Sequence, residues 1–290
     1  MPASLPENAL AKVNLTLRVL GRRGDGYHEI ESLVAFADFG DRLDFAPGGA
    51  LSLTVGGPDA AQAGADDDNL VLKASRALAE RVPGLKAGAF RLEKNLPVAA
   101  GLGGGSSDAA AALRLLARAN GLSSDDARLY AAARATGADV PVCLDPWSRL
   151  MRGIGEILSG PLALPPLPAL LVNPGVALAT KLVFAGWTPA REAVVPLDIA
   201  GLAKIKSAEQ LVACLDAQAN DLEGAAIKLA PVVGNVLVAL RALAGCRLAR
   251  MSGSGSTCFG LFPSAGETSA AAKILRGKYP GWWVCETKLG

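Results

Sequence analysis

An α+β fold in two domains is what the sequence predicts, on three observations. Strand-like and helical stretches are mixed without the strict βα alternation of a parallel sheet. A proline-rich stretch, PLALPPLP from Pro161 to Pro168, has the punctuation of a linker. The chain has 290 residues, 51% of them apolar, enough for one large core or two medium ones, and the length favours two domains. The expected division is residues 1–158 and 159–290.

Residues 9–20 alternate: Ala11, Val13, Leu15, Leu17 and Val19 fall on one side, Lys12, Asn14, Thr16 and Arg18 on the other. A period of two predicts a strand with one buried face, so Lys12 and Asn14 share the other. A Gly-rich turn follows, then strands at 29–37, 42–45, 51–55 and 89–93. A helix fits Leu70 to Arg81. A second runs from Ser106 or Ser107, as N-cap, to a stop at Gly121, with Asp108 capping its first turn. A third starts near Ser123 or Ser124 and ends by Gly137. Val140 precedes Pro141, which predicts extended chain there. Beyond the linker, strands fit 169–173, 246–251, 259–262 and 282–288. Helices fit 180–187, 207–219, 231–244 and 264–278.

Composition excludes several classes. The formal net charge is +2 with the signs mixed, so no basic stripe exists to neutralise a nucleic-acid backbone. Met1 to Leu10 lacks the apolar core of a signal peptide. The longest apolar region, Leu229 to Ala244, is broken by Pro231, Asn235 and Arg241 and is too short to span a membrane. The 5 cysteines form no CxxC pair, and 1 His completes no zinc site with them. Buried thiols and a reducing, cytoplasmic location are expected, with no nucleic-acid or membrane partner. The chain is expected to be a monomer or a homodimer.

The segment Pro97-Val-Ala-Ala-Gly101-Leu102-Gly103-Gly104-Gly105-Ser106-Ser107 carries the strongest chemical signal. Glycines let a backbone turn back and aim several N–H groups at one anion. A helix starting there adds its own free N–H groups and the positive end of its dipole. The hydroxyls of Ser106 and Ser107 can bond phosphate. GxxxxGK[ST] fails because no Lys follows, and GxGxxG fails because Ser occupies position 106. An ordinary glycine turn with helix capping stays open on composition alone. A second loop, MSGSGSTCF from Met251 to Phe259, lies between two strands and by itself reads as a hairpin turn.

Three blocks, AKVNLTLRVLGRRGDGYHEIES, LPVAAGLGGGSSDAAAAL and MSGSGSTCFGLF, together resemble the GHMP small-molecule kinases. The first block and GADVPVCL are similar to the branch that acts on a CDP-linked methylerythritol; NPGVALATKLVF and ANDLE match it in order. The resemblance implies an N-terminal domain like ribosomal-protein S5 domain 2 and a ferredoxin-like C-terminal domain, with ATP and an alcohol meeting between them. It implies ATP as co-substrate, Mg²⁺, and phosphorylation of the 2-hydroxyl of 4-(cytidine 5′-diphospho)-2-C-methyl-D-erythritol in the non-mevalonate isoprenoid pathway.

Residue roles carry over by the same resemblance. Asp139 in GADVPV matches the catalytic Asp, which accepts or orients the hydroxyl proton. The plain alternative is a surface Asp in a turn. Lys12 matches the catalytic Lys; an ammonium there helps stabilise charge on the moving phosphoryl group. Its alternative is a Lys on the solvent face of an edge strand. Asn14 would bond substrate near the reacting hydroxyl. Tyr27 and His28 match the cytosine-recognition pair, where stacking adds affinity and hydrogen bonds add discrimination. Thr180 and Phe184, four apart on one helix face, match residues near the substrate and against the other side of the base; Phe184 as ordinary core stays open. Asn69 matches a position near the nucleotide base, and a helix N-cap competes. No metal ligand is assigned.

Two rivals remain at this point. A sister kinase for homoserine or mevalonate-type alcohols would have no base to stack on Tyr27, His28 and Phe184. A non-catalytic nucleotide-binding module would need neither Lys12 nor Asp139. Residues 145–155, with Arg149 and Arg152, carry no clear pattern before GIGE.

Overall fold

The computed structural model describes residues 4–64, 67–189 and 196–290. The chain forms two compact units, each assembled from separated stretches. Of the described residues, those within 1–12, 39–98 and 103–146 make the first, and those within 13–38, 99–102 and 147–290 make the second.

In chain order, β1 is Leu5–Asn14, β2 Arg18–Arg22, β3 His28–Pro47 and β4 Ser52–Gly56. Two helices, α1 Ala60–Ala63 and α2 Leu70–Ala79, precede β5 Gly88–Glu93. Then come α3 Gly104–Asn120, α4 Ala127–Thr136, α5 Val140–Leu144, β6 Arg149–Gly153, β7 Ile157–Leu158 and β8 Leu167–Asn173. Five helices follow: α6 Thr180–Ala185, α7 Ile199–Leu202, α8 Ala208–Asp216, α9 Glu223–Leu229 and α10 Val232–Arg241. β9 Leu248–Met251, β10 Cys258–Leu261, α11 Ala265–Lys278 and β11 Trp283–Leu289 complete the chain.

In the first unit β5 lies between β4, parallel to it, and the second half of β3, antiparallel with Arg42 opposite Glu93. Phe45 and Phe90 face each other in this pairing with ring centroids 4.5 Å apart. α3 packs on α2, α4 and α5. Its Ala109 to Leu113 run is wholly buried, which small side chains allow by letting neighbouring helices approach. The expected strands at 29–37 and 42–45 are one continuous β3. Gly40 sits between them because a Cβ there would lie 2.1 Å from the Ala9 carbonyl oxygen; the glycine marks a close backbone approach inside a strand and not a break.

In the second unit β10 pairs antiparallel with both β8 and β9, and β11 runs antiparallel to β8 on its other edge. α10 and α11 pack on these strands. Leu170, Val172, Val236, Leu240, Phe262 and Leu275 belong to the core between them. The first half of β3 pairs with β2 and with β6, where Ile30 opposes Gly153 and Val34 opposes Arg149. That pairing gives residues 145–155 their path. Arg152 donates from Nε to Glu31 Oε2 at 2.9 Å, and Arg149 donates to the Ser159 carbonyl.

Four expectations are corrected. Residues 11–19, the end of β1 and its continuation, are buried on both faces: Lys12 and Asn14 are each 3% exposed and Thr16 is fully buried. Polar partners make that burial tolerable, as when Thr16 Oγ1 accepts from the Leu33 N–H. Val140 is helical and not extended, since Pro141 occupies the first turn of α5, where a missing N–H leaves no bond unmade. α3 starts at Gly104 with Gly103 as a left-handed N-cap, two residues before the serines. α4 starts at Ala127, because the Asp126 side chain accepts from the Arg128 N–H and outcompetes Ser123 and Ser124 as cap.

All five cysteines are free; Cys143, Cys258 and Cys285 are buried. Among the described residues no helix is long and apolar enough to cross a membrane.

Candidate active site

In the first unit β1 delivers Lys12, and the turn between α4 and α5 delivers Asp139. Lys12 Nζ donates to Asp139 Oδ2 at 2.8 Å. The Lys12 side chain is 4% exposed and that of Asp139 37%, so the carboxylate keeps one side open. The Lys12 stem runs against the glycine turn: a Cβ on Gly103, whose φ is +61°, would lie 3.1 Å from Lys12 Cε. A side chain at 103 would need a left-handed backbone and would crowd the Lys12 stem.

α3 then presents the N–H groups of its first turn, which have no partner within the helix. Ser107 N–H is the first to bond back, to the Gly103 carbonyl. The two serines differ. Ser107 is buried, and its hydroxyl donates to the Leu10 carbonyl at 2.7 Å, fastening the helix to β1. Ser106 is half-buried and Gly105 exposed. Asn69 is the N-cap of α2: its Oδ1 accepts from the Val71 N–H, and its Nδ2 donates to the Gly64 carbonyl. A Cβ on Gly105 would lie 3.3 Å from Leu70 Cδ1, so the cap of α2 and the glycine turn are neighbours. Pro97 precedes the turn and is half-buried.

Asp108 does not cap α3. It is buried in its second turn, with Oδ2 accepting from Lys94 Nζ at 2.9 Å. Lys94 also donates to Asp41 Oδ2, and Asp41 Oδ1 accepts from the Asn95 and Leu96 N–H groups. Burial works against the charge on Lys94, but the two carboxylates outweigh it and hold its pKa up. Burial, with Asp41 adding to it, pushes Asp108 up to about 8.

In the second unit the glycine segment continues at Gly101 and Leu102. Leu102 is buried, and Gly101 has a φ of +78°. A Cβ at 101 would sit 2.3 Å from the Ser252 carbonyl, so only glycine fits. Ser252 lies in the loop between β9 and β10, which is more than the hairpin turn its composition suggests: residues 252–257 are all buried. Ser252 Oγ donates to the Gly101 carbonyl at 2.8 Å and accepts from the Asn14 N–H at 3.1 Å. Asn14 Nδ2 donates to Ser32 Oγ at 2.7 Å. Thr180 Oγ1 and Ser254 Oγ lie 2.9 Å apart.

Three rings gather at the end of α6. His28 faces Phe184 with centroids 5.0 Å apart, tilted by 32°, and meets Trp187 edge-on at 5.8 Å. Phe184 and Trp187 also pack on the core. Burial, then the charge of Arg22, lowers the His28 pKa. Tyr27 ends the tight turn from β2, where its N–H donates to Asp25 Oδ1 and its carbonyl accepts from the Arg23 N–H. Its side chain is exposed.

Sequence reasoning missed Trp187, Ser32, Asn220 and the Lys94–Asp41–Asp108 cluster. Asn220 lay in the ANDLE match without a role. Its Nδ2 donates to the carbonyls of both Met251 and Gly253 at 2.8 Å, and Glu223 of the same motif accepts from the Met251 N–H. The motif braces the second glycine loop.

The family model of the GHMP kinases N-terminal domain matches residues 69–145, and that of the GHMP kinases C-terminal domain matches residues 200–281. A curated relative from Methylobacterium radiotolerans, a 4-diphosphocytidyl-2-C-methyl-D-erythritol kinase, is 58% identical over 98% of this chain and 99% of its own length. One of the same name from Rhodopseudomonas palustris is 58% identical over 97% of this chain and 96% of its own. A crystal structure of 4-(cytidine 5′-diphospho)-2C-methyl-D-erythritol kinase superposes with a TM-score of 0.80 at 36% identity, covering 99% of both chains. A homoserine kinase from Cytophaga hutchinsonii shares the fold, with a TM-score of 0.75 at 19% identity over 99% of this chain and 95% of its own. This chain belongs to the GHMP kinases and, within them, to the 4-diphosphocytidyl-2-C-methyl-D-erythritol kinase family.

Proposed function

We infer that the chain transfers the terminal phosphoryl group of ATP to the 2-hydroxyl of 4-(cytidine 5′-diphospho)-2-C-methyl-D-erythritol, a step of non-mevalonate isoprenoid synthesis. The observation that carries this is the 2.8 Å Lys12–Asp139 pair beside the glycine turn at Gly103, in a chain 58% identical to relatives of that name.

The open side of the Asp139 carboxylate would take the proton of the acceptor hydroxyl, or orient it, as the new oxygen–phosphorus bond forms. The bond to the β-phosphate oxygen breaks and ADP leaves. Lys12, fixed by Asp139 and by the backbone at Gly103, stands where charge develops on the phosphoryl oxygens. The backbone N–H groups of 101–106 would hold the triphosphate, with Ser106 the better placed hydroxyl, since that of Ser107 is bound to Leu10. Asn14, held by Ser32 and Ser252, would bond the substrate near its reacting hydroxyl. Tyr27, His28, Phe184 and Thr180 would take the cytidine end, and Asn69 would lie near the ATP base, through its contact surface more than its already bonded amide.

Among the described residues no three His, Cys, Asp or Glu side chains gather as a metal cage. Mg²⁺ bound together with ATP would supply positive charge against its phosphates. We place the enzyme in the cytoplasm, acting on small molecules as a monomer or homodimer.

The test is to offer the purified protein ATP with the CDP-linked methylerythritol, homoserine or mevalonate, each alone, and to measure ADP release. Release with the first only is expected. Release with homoserine instead would reassign the substrate.

A further inference from the structure

The buried Lys94–Asp41–Asp108 cluster has no part in the mechanism above, yet it touches the phosphate turn. A Cβ on Gly104, the first residue of α3, would lie 3.3 Å from Lys94 Nζ and 3.7 Å from Asp41 Oδ2. The side chains of Lys94, Asp41 and Asp108 are 3%, 0% and 4% exposed. Asp41 also grips the chain as it leaves β5, through the N–H groups of Asn95 and Leu96, the two residues that precede Pro97. One cluster thus fixes both the entry to the glycine segment and the helix that closes it.

The charge count gives this position a second property. One ammonium faces two carboxylates. With both ionised, a net negative charge would be buried against the turn that receives a polyanion, where screening by water is weak. With one proton on the pair, the cluster is neutral. Asp108 Oδ1 is buried without a hydrogen-bond partner among the described residues, a poor setting for a carboxylate. The charged groups facing Asp108 are Lys94 from the end of β5 and Asp41 from β3. On the neighbouring helices, Lys73 and Arg76 of α2 pair with Asp68 and Asp67, and Arg128 of α4 with Asp126, all at the surface. Arg134 of α4 is exposed, and Cys143 of α5 is pushed by burial up to about 11, outside the relevant range.

We propose that Lys94, Asp41 and Asp108 are positioning residues for the phosphate turn, and that the turn holds ATP at full strength only while Asp108 is protonated. The proposal rests on the reading of residues 101–107 as the ATP site. Losing the proton places a charge of the wrong sign beside Gly104. By linkage, ATP binding must then draw a proton onto the cluster at pH values near the Asp108 transition.

The experiment is calorimetric titration of the whole protein with magnesium-ATP from pH 6.5 to 9.5, for the native chain and for Asp108→Asn, which mimics the neutral acid. Native affinity should fall roughly tenfold between pH 7 and 9, the scale of one partly screened unit charge. Asp108→Asn should keep the affinity seen at neutral pH across the range. A flat native profile, or a variant as steep as native, overturns the proposal. If Asp108→Asn fails to fold, the native protein still decides: heats at pH 8 in two buffers of different ionisation enthalpy should reveal proton uptake with ATP, and none overturns it. Absence of any ATP binding at pH 7 would sink the assignment of the loop itself, a distinguishable outcome.

Discussion

The Lys12 ammonium and the Asp139 carboxylate meet at 2.8 Å with opposite exposure, the cation 4% and the anion 37% open. A pair made only for stability has no need of that asymmetry. Asp139→Ala should lower kcat about 10²–10⁴-fold, the usual cost of losing an acid–base group. Magnesium-ATP should still bind, since no ATP contact is assigned to Asp139. Steady-state rates and an equilibrium ATP titration check both halves, and unchanged turnover would remove Asp139 from the mechanism.

Phe184 packs on the core and on His28 at once. Phe184→Ala should raise KM for the cytidine substrate well beyond its effect on KM for ATP, because base stacking is worth roughly 1–3 kcal/mol. Equal changes in both constants would assign Phe184 to the core alone.

His28 is held neutral to lower pH than an ordinary imidazole by burial and by Arg22. A neutral ring offers cytosine one donor and one acceptor; a charged ring offers donors only. KM for the cytidine substrate should therefore be level from pH 7 to 8 and rise as pH falls below the depressed His28 pKa. In stability the sign is the same: the folded pKa is lowered, so the neutral form favours folding above the unfolded value, and that contribution is lost as pH drops. His28→Gln should flatten the acid limb of the KM profile.

Ala99, just before the glycine turn, has a φ of +53° and is the one non-glycine residue in the left-handed region among those described. An alanine there is strained by roughly 1 kcal/mol. Ala99→Gly should recover part of that, less the entropy glycine adds to the unfolded chain, and move the urea midpoint upward. A lower midpoint would mean the strain is absent.

Asn220→Ala would leave the Met251 and Gly253 carbonyls without their buried donor. Each orphaned acceptor costs about 1–3 kcal/mol. Unfolding in urea should show that loss, and Asn220→Asp should recover little, because it keeps the shape without the N–H donors.

Much of this was legible in the sequence because short-range chemistry decides it. The end of α3 at Gly121 follows from a left-handed cap, and the start of α11 from Ser264 capping Glu267. The contents of the glycine segment follow from its composition. What escaped depends on partners distant in sequence. Lys12 reads as a solvent-facing strand residue until Asp139, 127 positions away, supplies its counter-charge. Asp108 reads as a cap until Lys94 claims it. Ser107 reads as a phosphate ligand until Leu10 takes its hydroxyl. Alternation reports residue type, and it misjudges exposure wherever polar side chains find internal partners.

The second unit also joins distant parts of the chain. β11 sets Leu289 opposite Ala37, Phe36 and Gly290 exchange backbone bonds, and Asp38 accepts from Thr287 across a separation of 249 residues. Such non-local pairings form late, because chain entropy must be surrendered before any contact rewards it. Until then the free edge of β8, with its buried apolar run Ala169 to Val172, resembles a template for foreign strands. Renaturation at high protein concentration should therefore compete with aggregation through this edge, and crowding partners that shield it would raise the yield of active enzyme.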